Sequence, residues 1–291
     1  MTGPDDRVLV GFDPDARRRG RPLDVIDPLA WHGQAIPDRP WLVDGLIPRR
    51  VVTMLGGDGG LGKSLLAQQL LTACATGTAW LARETMSCRS LGVFCEDDRD
   101  ELHRRQANIN RHYGIEFADL GDLNLSSRVG DDSVLLEWER EWFTGRETPI
   151  YDQILNYCRD NGVQCLVLDS LHDVFAGNEN KRPHARQFIN ALRDIAIAID
   201  GAVIVTAHPS LSGRASGTGE AGSTAWHNAV RSRLYLKSED GEDDDIRVLK
   251  TMKSNYGRRG KEMRLKWIDG VFINIGVLED RNPTRTANDA A

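Results

Sequence analysis

The run Gly57-Asp58-Gly59-Gly60-Leu61-Gly62-Lys63-Ser64 constrains this chain more than any other feature. Its spacing is G-x-x-x-x-G-K-[ST], a loop built to wrap phosphate. Before it, Val51 to Leu55 is a short apolar run of the kind that forms a buried strand. After it, Lys63 to Thr76 is rich in Leu, Ala and Gln and is stopped by Gly77, which predicts a helix. The glycines let backbone N–H groups converge on an anion, and the helix N-terminus adds partial positive charge. Lys63 would reach the β- and γ-phosphates of a nucleoside triphosphate, and Ser64 would ligate Mg²⁺. The expected nucleotide-binding set is Gly57, Asp58, Gly59, Gly60, Leu61, Gly62, Lys63, Ser64 and Leu65, with ATP and Mg²⁺ as the ligands.

The segments that follow alternate in period. Leu91–Cys95 reads as a strand and Arg99–Tyr113 as a polar-faced helix. Val163–Leu168 is a strand. Ala185–Ile199 is a helix with Phe188, Ile189, Leu192, Ile195 and Ala196 at helical spacing, and Ala202–Ala207 is the next strand. Such alternation predicts an α/β fold with a mostly parallel central sheet covered on both faces. Past Gly222, the segments Ser232–Lys237, Ile246–Lys253, Lys261–Trp267 and Val271–Ile275 read as antiparallel strands with turns at Asp240-Gly241 and Asp269-Gly270. Residues 120–150 are expected to hold an inserted hairpin. Residues 1–22 and 279–291 read as polar tails, the first of them mobile and carrying Arg17-Arg18-Arg19-Gly20-Arg21. Between the tails lies one domain, 23–278. Its residues 23–48 form an extended arm with Val25, Ile26, Leu29, Trp31, Ile36, Trp41, Leu42 and Val43 as apolar anchors packed on the core.

At 291 residues and 40% hydrophobic, the chain can build a sizeable core. Its net charge of -6 excludes a generic polycation, so nucleic-acid contacts would need a local basic patch. The five cysteines form no C-x-x-C pair, which favours buried thiols over a metal site. No signal peptide, membrane-length apolar run or lipidation motif is present in the sequence, so a cytoplasmic protein without membrane contact is expected.

Leu166-Val167-Leu168-Asp169 is an apolar strand ending in an acid, and Asp169 is expected to hold Mg²⁺ together with Ser64. The following residue is Ser170, so the base that activates water must lie elsewhere. Glu96 closes the strand Leu91–Cys95. A strand adjacent to that of Asp169 would bring Glu96 to the same edge, facing the γ-phosphate through a water. Asp97 and Asp98 read as local helix-start acids. His208, at the end of Val203–Ala207, could hydrogen-bond a γ-phosphate oxygen or the attacking water.

These landmarks, in this order, resemble the RecA superfamily of oligomeric ATPases, and more closely the RepA-type hexameric replicative helicases of plasmids with their phage and mobile-element relatives. The resemblance rests on Trp41 to Pro48, Glu96-Asp97 with Arg105, Gly222-Ser223 with Arg231, and Lys253-Ser254-Asn255-Tyr256-Gly257. It implies a RecA-like core in a ring, hexameric in the relatives, with ATP between subunits. Arg231 matches an arginine finger acting on the neighbour's site, with Arg233 as its substitute, and Lys253 matches a second trans cation. Arg105 matches a residue packed on adenine, with Arg104 as competitor. Loops 174–184 and 209–221 match the DNA-facing loops of the channel and supply Asn178, Lys181, Arg182 and Arg214 for single-stranded DNA, with Phe175 as the one aromatic. A replication initiator or primase is the implied partner protein.

The functional expectation is thus an ATP-hydrolysing, ring-forming motor on single-stranded nucleic acid, of replicative-helicase type. Two other readings stay open: a RecA-like regulator of recombination or replication that does not unwind, and a P-loop small-molecule kinase.

Overall fold

The computed structural model describes residues 23–138, 144–208, 224–239, 244–256 and 262–278. Two units divide at Arg39 and Pro40. In the first, the only regular element among the described residues is a 3-10 turn at Pro28–Trp31, capped by Asp27. Its large apolar side chains Leu23, Val25, Ile26, Leu29, Trp31 and Ile36 are all exposed. Burial within the expected arm therefore begins at Leu42, not at Leu23. Leu42, Val43, Leu46 and Ile47 are core residues, carried on a small antiparallel ribbon of β1 (Trp41–Val43) and β2 (Ile47–Pro48).

The second unit is built around one large sheet. β3 (Val52–Gly57) leads into helix α1 (Lys63–Thr76), and β4 (Arg89–Phe94) into α2 (Arg99–Tyr113). Then come β5 (Leu123–Ser127), α3 (Pro149–Asp160), β8 (Val163–Asp169), the short α4 (Leu171–Val174), α5 (Arg182–Ala198), β9 (Ala202–Ala207) and α6 (Thr224–Ala229). Four further strands follow: β10 (Ser232–Ser238), β11 (Ile246–Ser254), β12 (Glu262–Ile268) and β13 (Val271–Leu278). The sheet runs β13-β12-β11-β10-β3-β9-β8-β4-β5. From β10 to β5 every pairing is parallel, and from β10 to β13 every pairing is antiparallel. This is the expected α/β architecture, a mostly parallel sheet with a C-terminal antiparallel extension.

The core explains the order. β3, β8 and β9 are buried almost throughout, as strands covered on both faces must be. α1 buries twelve of its fourteen residues, polar Gln68, Gln69 and Thr72 among them. Their donors are satisfied internally: Gln68 donates to the Leu102 carbonyl, Gln69 pairs with the Phe272 backbone, and Thr72 donates to the Gln68 carbonyl, while the Gln68 side-chain oxygen is left without a partner among the described residues. Residues 120–150 divide three ways. β5 joins the main sheet beside β4, and only β6 (Leu136–Glu137) with β7 (Arg146–Glu147) makes the expected hairpin. α3 begins at Pro149, its proline in the first helical turn.

Candidate nucleotide site

The parallel strands β3, β4, β8 and β9 end together, and the chemistry-bearing residues follow their carboxyl ends. Pairing of Phe94 with Asp169 puts Glu96 and Asp169 on one edge, and Cys95 N–H donates to the Asp169 carbonyl oxygen. Gly57 and Ala207 end the neighbouring strands, with the phosphate loop and His208 just beyond. Lys63, Glu96, Asp169 and His208 therefore converge as their strand positions require.

Gly62 is the N-cap of α1 at φ 90°, and a Cβ there would lie 2.7 Å from the Phe272 ring. Only glycine fits both the torsion and the space. No acid occupies the first turn of α1, so its amides face the loop without competing negative charge. Lys63 is buried, and its ammonium donates to the carbonyl oxygens of Gly57 and Asp58, both at 2.8 Å. It lies 3.3 Å from His208 Nδ1. A neutral imidazole accepting at Nδ1 carries its proton on Nε2, which faces Glu96 Oε1 at 3.8 Å. Ser170 Oγ donates its one hydrogen to Asp173 Oδ2 at 2.7 Å, or to the same Glu96 oxygen, which lies 3.1 Å away, but not to both at once. Ser170, which the sequence offered only as a missing acid, caps α4 with Asp173 and stands beside the candidate base. The Asp169–Ser170 peptide is cis. His172 stacks on His208 with ring centroids 5.7 Å apart.

Asp169 is buried, and Thr206 Oγ1 donates to its Oδ1. Burial pushes its carboxyl above the usual range, the hydroxyls of Thr206 and Ser64 oppose that shift, and the charges of Asp97 and Glu96 add to it. Its Oδ2 has no hydrogen-bond partner. A buried carboxylate with one unsatisfied oxygen, near the Ser64 hydroxyl, offers oxygen donors that fit a hard divalent cation such as Mg²⁺. When bound, that ion would neutralise charge on the phosphate oxygens.

Arg105 makes a two-pronged ion pair with Asp97, at 2.5 and 2.9 Å, and a second pair with Glu101. Asp97 thus anchors Arg105, while Asp98 caps α2 through the Glu101 amide. Arg104 pairs with Glu101 and is largely exposed.

The trans candidates separate. Arg231 immediately precedes β10 and is exposed, whereas Arg233 is fully buried against His227, which removes it as a substitute finger. Lys253 is nine-tenths buried and donates to the His227 carbonyl at 2.7 Å, so reaching another subunit requires breaking that bond. Pairing of Ser232 with Thr53 puts Arg231 at the start of β3, the opposite end from the phosphate loop.

Asn178, Lys181 and Arg182 are exposed and adjacent. The expected loop 174–184 is shorter, because Val174 ends α4 and Arg182 begins α5. Phe175 is not available to a base: it packs among Trp138, Phe188 and Trp226. Arg214 and the rest of loop 209–221 lie outside the described residues. Arg182 and Arg231, expected to do different work, line one groove of about 460 Å³ with Arg186, Asn190 and Arg193. Arg186 and Arg193 were readable as a basic stripe four and eleven residues beyond Arg182 on one helix.

Residues 16–214 match the family of AAA domains. No curated protein matches the chain. Among solved structures, it is similar to a KaiC-like protein from the hyperthermophilic archaeon Pyrococcus horikoshii, with 15% identity and a TM-score of 0.55 over 81% of this chain and 94% of that one. The likeness fixes the fold as RecA-like. No helix among the described residues is long and apolar enough to cross a membrane.

Proposed function

The chain belongs to the family of AAA domains, and from that premise we propose that it is an ATP-hydrolysing motor that forms a ring and moves on single-stranded nucleic acid, of the RepA helicase type. One observation carries the reading: Lys63, His208 and Glu96 stand in a row on the edge that carries Asp169, while Arg231 stands exposed at the far end of β3.

In this reading Lys63 neutralises charge on the β- and γ-phosphates. Glu96 takes the proton of the attacking water. His208 touches both Lys63 and Glu96, so it can register the γ-phosphate and pass its loss to the segment that follows. Asp169 and Ser64 would hold Mg²⁺. Arg231 cannot serve its own phosphate loop from the opposite strand end, which supports action on a neighbour. Asn178, Lys181 and Arg182 offer exposed donors to a phosphate backbone.

The test is ATPase rate with and without single-stranded DNA, read beside the mass in solution and strand displacement on a forked duplex. Stimulation with displacement supports the motor. Stimulation without displacement favours the open alternative of a RecA-like regulator. Phosphate transfer to a small acceptor instead of water would favour the kinase reading. Mixing Arg231→Ala with Glu96→Gln tests the ring, because interfaces with both residues intact should recover part of the turnover.

A further inference from the structure

Several arginines of this chain sit beside acids. Arg49 and Arg50 pair with Asp200, Arg89 with Asp122, Arg105 with Asp97 and Arg264 with Glu239. The groove of about 460 Å³ beside α5 is different. Arg182, Arg186, Arg193 and Arg231 line it, and none of the four has an ion pair or a side-chain hydrogen bond among the described residues. The rest of the lining is apolar or asparagine, with no acid and no aromatic ring. The Nε of Arg193 is buried without a hydrogen-bond partner.

Helix geometry builds this cluster. Positions 182, 186 and 193 of α5 fall within about 40° of one another around the axis and span about 16 Å along it. Arg231, two residues past the end of α6, reaches the same groove from a separate element. Four like charges in one groove repel one another. The chain has 43 acids against 37 Lys and Arg, yet it places none of them in this lining. A bound anion would supply the missing countercharge.

The lining also says which anion. The volume is that of a small-molecule site. Guanidinium forks take phosphate oxygens two at a time. Four of them suit a compact anion of about four charges, the chemistry of three linked phosphates. A nucleic-acid strand would use a stacking surface for its bases, and this groove holds no ring.

We propose that the groove is a second anion site, separate from the phosphate loop, that holds a free oligophosphate of three or more phosphates, inorganic or the tail of a nucleotide. One chain supplies every residue of it. Arg231 lies within it, so an occupied groove would withhold Arg231 from a neighbouring subunit. That regulatory consequence rests on the proposed ring, whereas the binding itself does not.

The probe is inorganic tripolyphosphate, titrated by calorimetry into the full-length protein in chelator, with Lys63→Ala as the background so that the phosphate loop contributes little. One tripolyphosphate should bind per chain. Adding Arg186→Ala and Arg193→Ala, neither of which belongs to the phosphate loop, should weaken binding by at least about tenfold. Wild type gives a second reading that needs no variant, the rate of phenylglyoxal labelling at each arginine, followed by mass spectrometry. Tripolyphosphate should slow labelling of Arg186 and Arg193 and leave exposed Arg99 on α2 unchanged. Protection by ATP at lower concentration than by tripolyphosphate would support the site with a nucleotide as the source, and the reverse order would support it with an inorganic one. An affinity that the paired substitutions leave unchanged, or labelling that tripolyphosphate does not slow, would overturn the proposal. So would protection by a short oligothymidylate and not by tripolyphosphate, which would make the groove a nucleic-acid contact.

Discussion

Glu96→Gln separates chemistry from binding more sharply than any other single change. The Glu96 side chain is 53% exposed, so the isosteric amide opens no cavity and buries no new polar group. Its oxygen can still accept from Ser170 Oγ, now 3.1 Å from Glu96 Oε1. What is lost is the negative charge and the capacity to take a proton. A positioned general base contributes roughly 10²- to 10⁴-fold in rate, which at about 1.4 kcal/mol per decade is roughly 3–5 kcal/mol of barrier. Folding stability should change by less than about 1 kcal/mol, the scale of an exposed polar contact, and Tm by less than about 4 °C for a domain of this size. The assay is kcat from phosphate release at saturating Mg·ATP, beside titration of a fluorescent ATP analogue and a thermal melt. The expected result is a loss of at least about a hundredfold in kcat with analogue affinity and melt preserved. A kcat within a few-fold of wild type would refute the assignment of the base, and lost affinity with normal kcat would make Glu96 a binding residue.

Three further outcomes follow from packing and charge. Gly62→Ala sets a side chain at φ 90° and drives its Cβ into the buried Phe272 ring, so stability should fall by about 2 kcal/mol or more; an unchanged denaturant midpoint would count against this loop geometry. Asp169 has its folded pKa raised, chiefly by burial, so its neutral form stabilises the fold: that contribution is complete below the ordinary carboxylate range and is lost as pH rises through the raised value. In chelator, the stability of wild type relative to Asp169→Asn should therefore decline as pH rises above the ordinary carboxylate range, and a difference that stays flat with rising pH in thermal melts would contradict the burial. Cys95 is pushed up to about 11 by burial, with the charges of Asp173 and Asp169 adding and Ser133 opposing, and Cys158 to about 12. At pH 8 the Cys95 thiolate is about one part in a thousand, so iodoacetamide should label it only after unfolding; rapid labelling of the native protein, read by mass spectrometry, would show otherwise.

The parallel half of the sheet is readable from sequence because each strand is an apolar run and each helix has a buried stripe. The edge chemistry is readable for the same reason: a polar residue that ends a buried run, such as Asp169 or His208, has one place to go. β5 escaped because Leu123-Asn124-Leu125-Ser126-Ser127 is short and half-buried, with an apolar–polar alternation of only four residues. α3 was legible and went unread: Tyr151, Ile154, Leu155 and Cys158 stand at helical spacing behind Pro149. Ser170 and Thr206 could not be found as partners of Glu96 and Asp169, since a serine or threonine beside a strand end signals nothing until the neighbouring strand is known. The expected burial of Leu23 to Ile36 followed composition alone. Apolar residues report that something should cover them and say nothing about what does.

The sheet also settles which of the candidate cations can share a task. Two residues on the face of a parallel sheet are near or far according to register, whatever their sequence separation. Ser232 opposite Thr53 fixes Arg231 beside the start of β3, and α5 runs back from the carboxyl edge toward the same place. Arg182, Arg186, Arg193 and Arg231 therefore meet in one groove although forty-nine residues separate the outermost two. A polyanion bound along α5 and a neighbour's triphosphate reached by Arg231 would compete for that surface. The roles proposed for Arg182 in nucleic-acid binding and for Arg231 in trans hydrolysis would thus be physically coupled, with occupancy of the groove by one ligand altering access for the other.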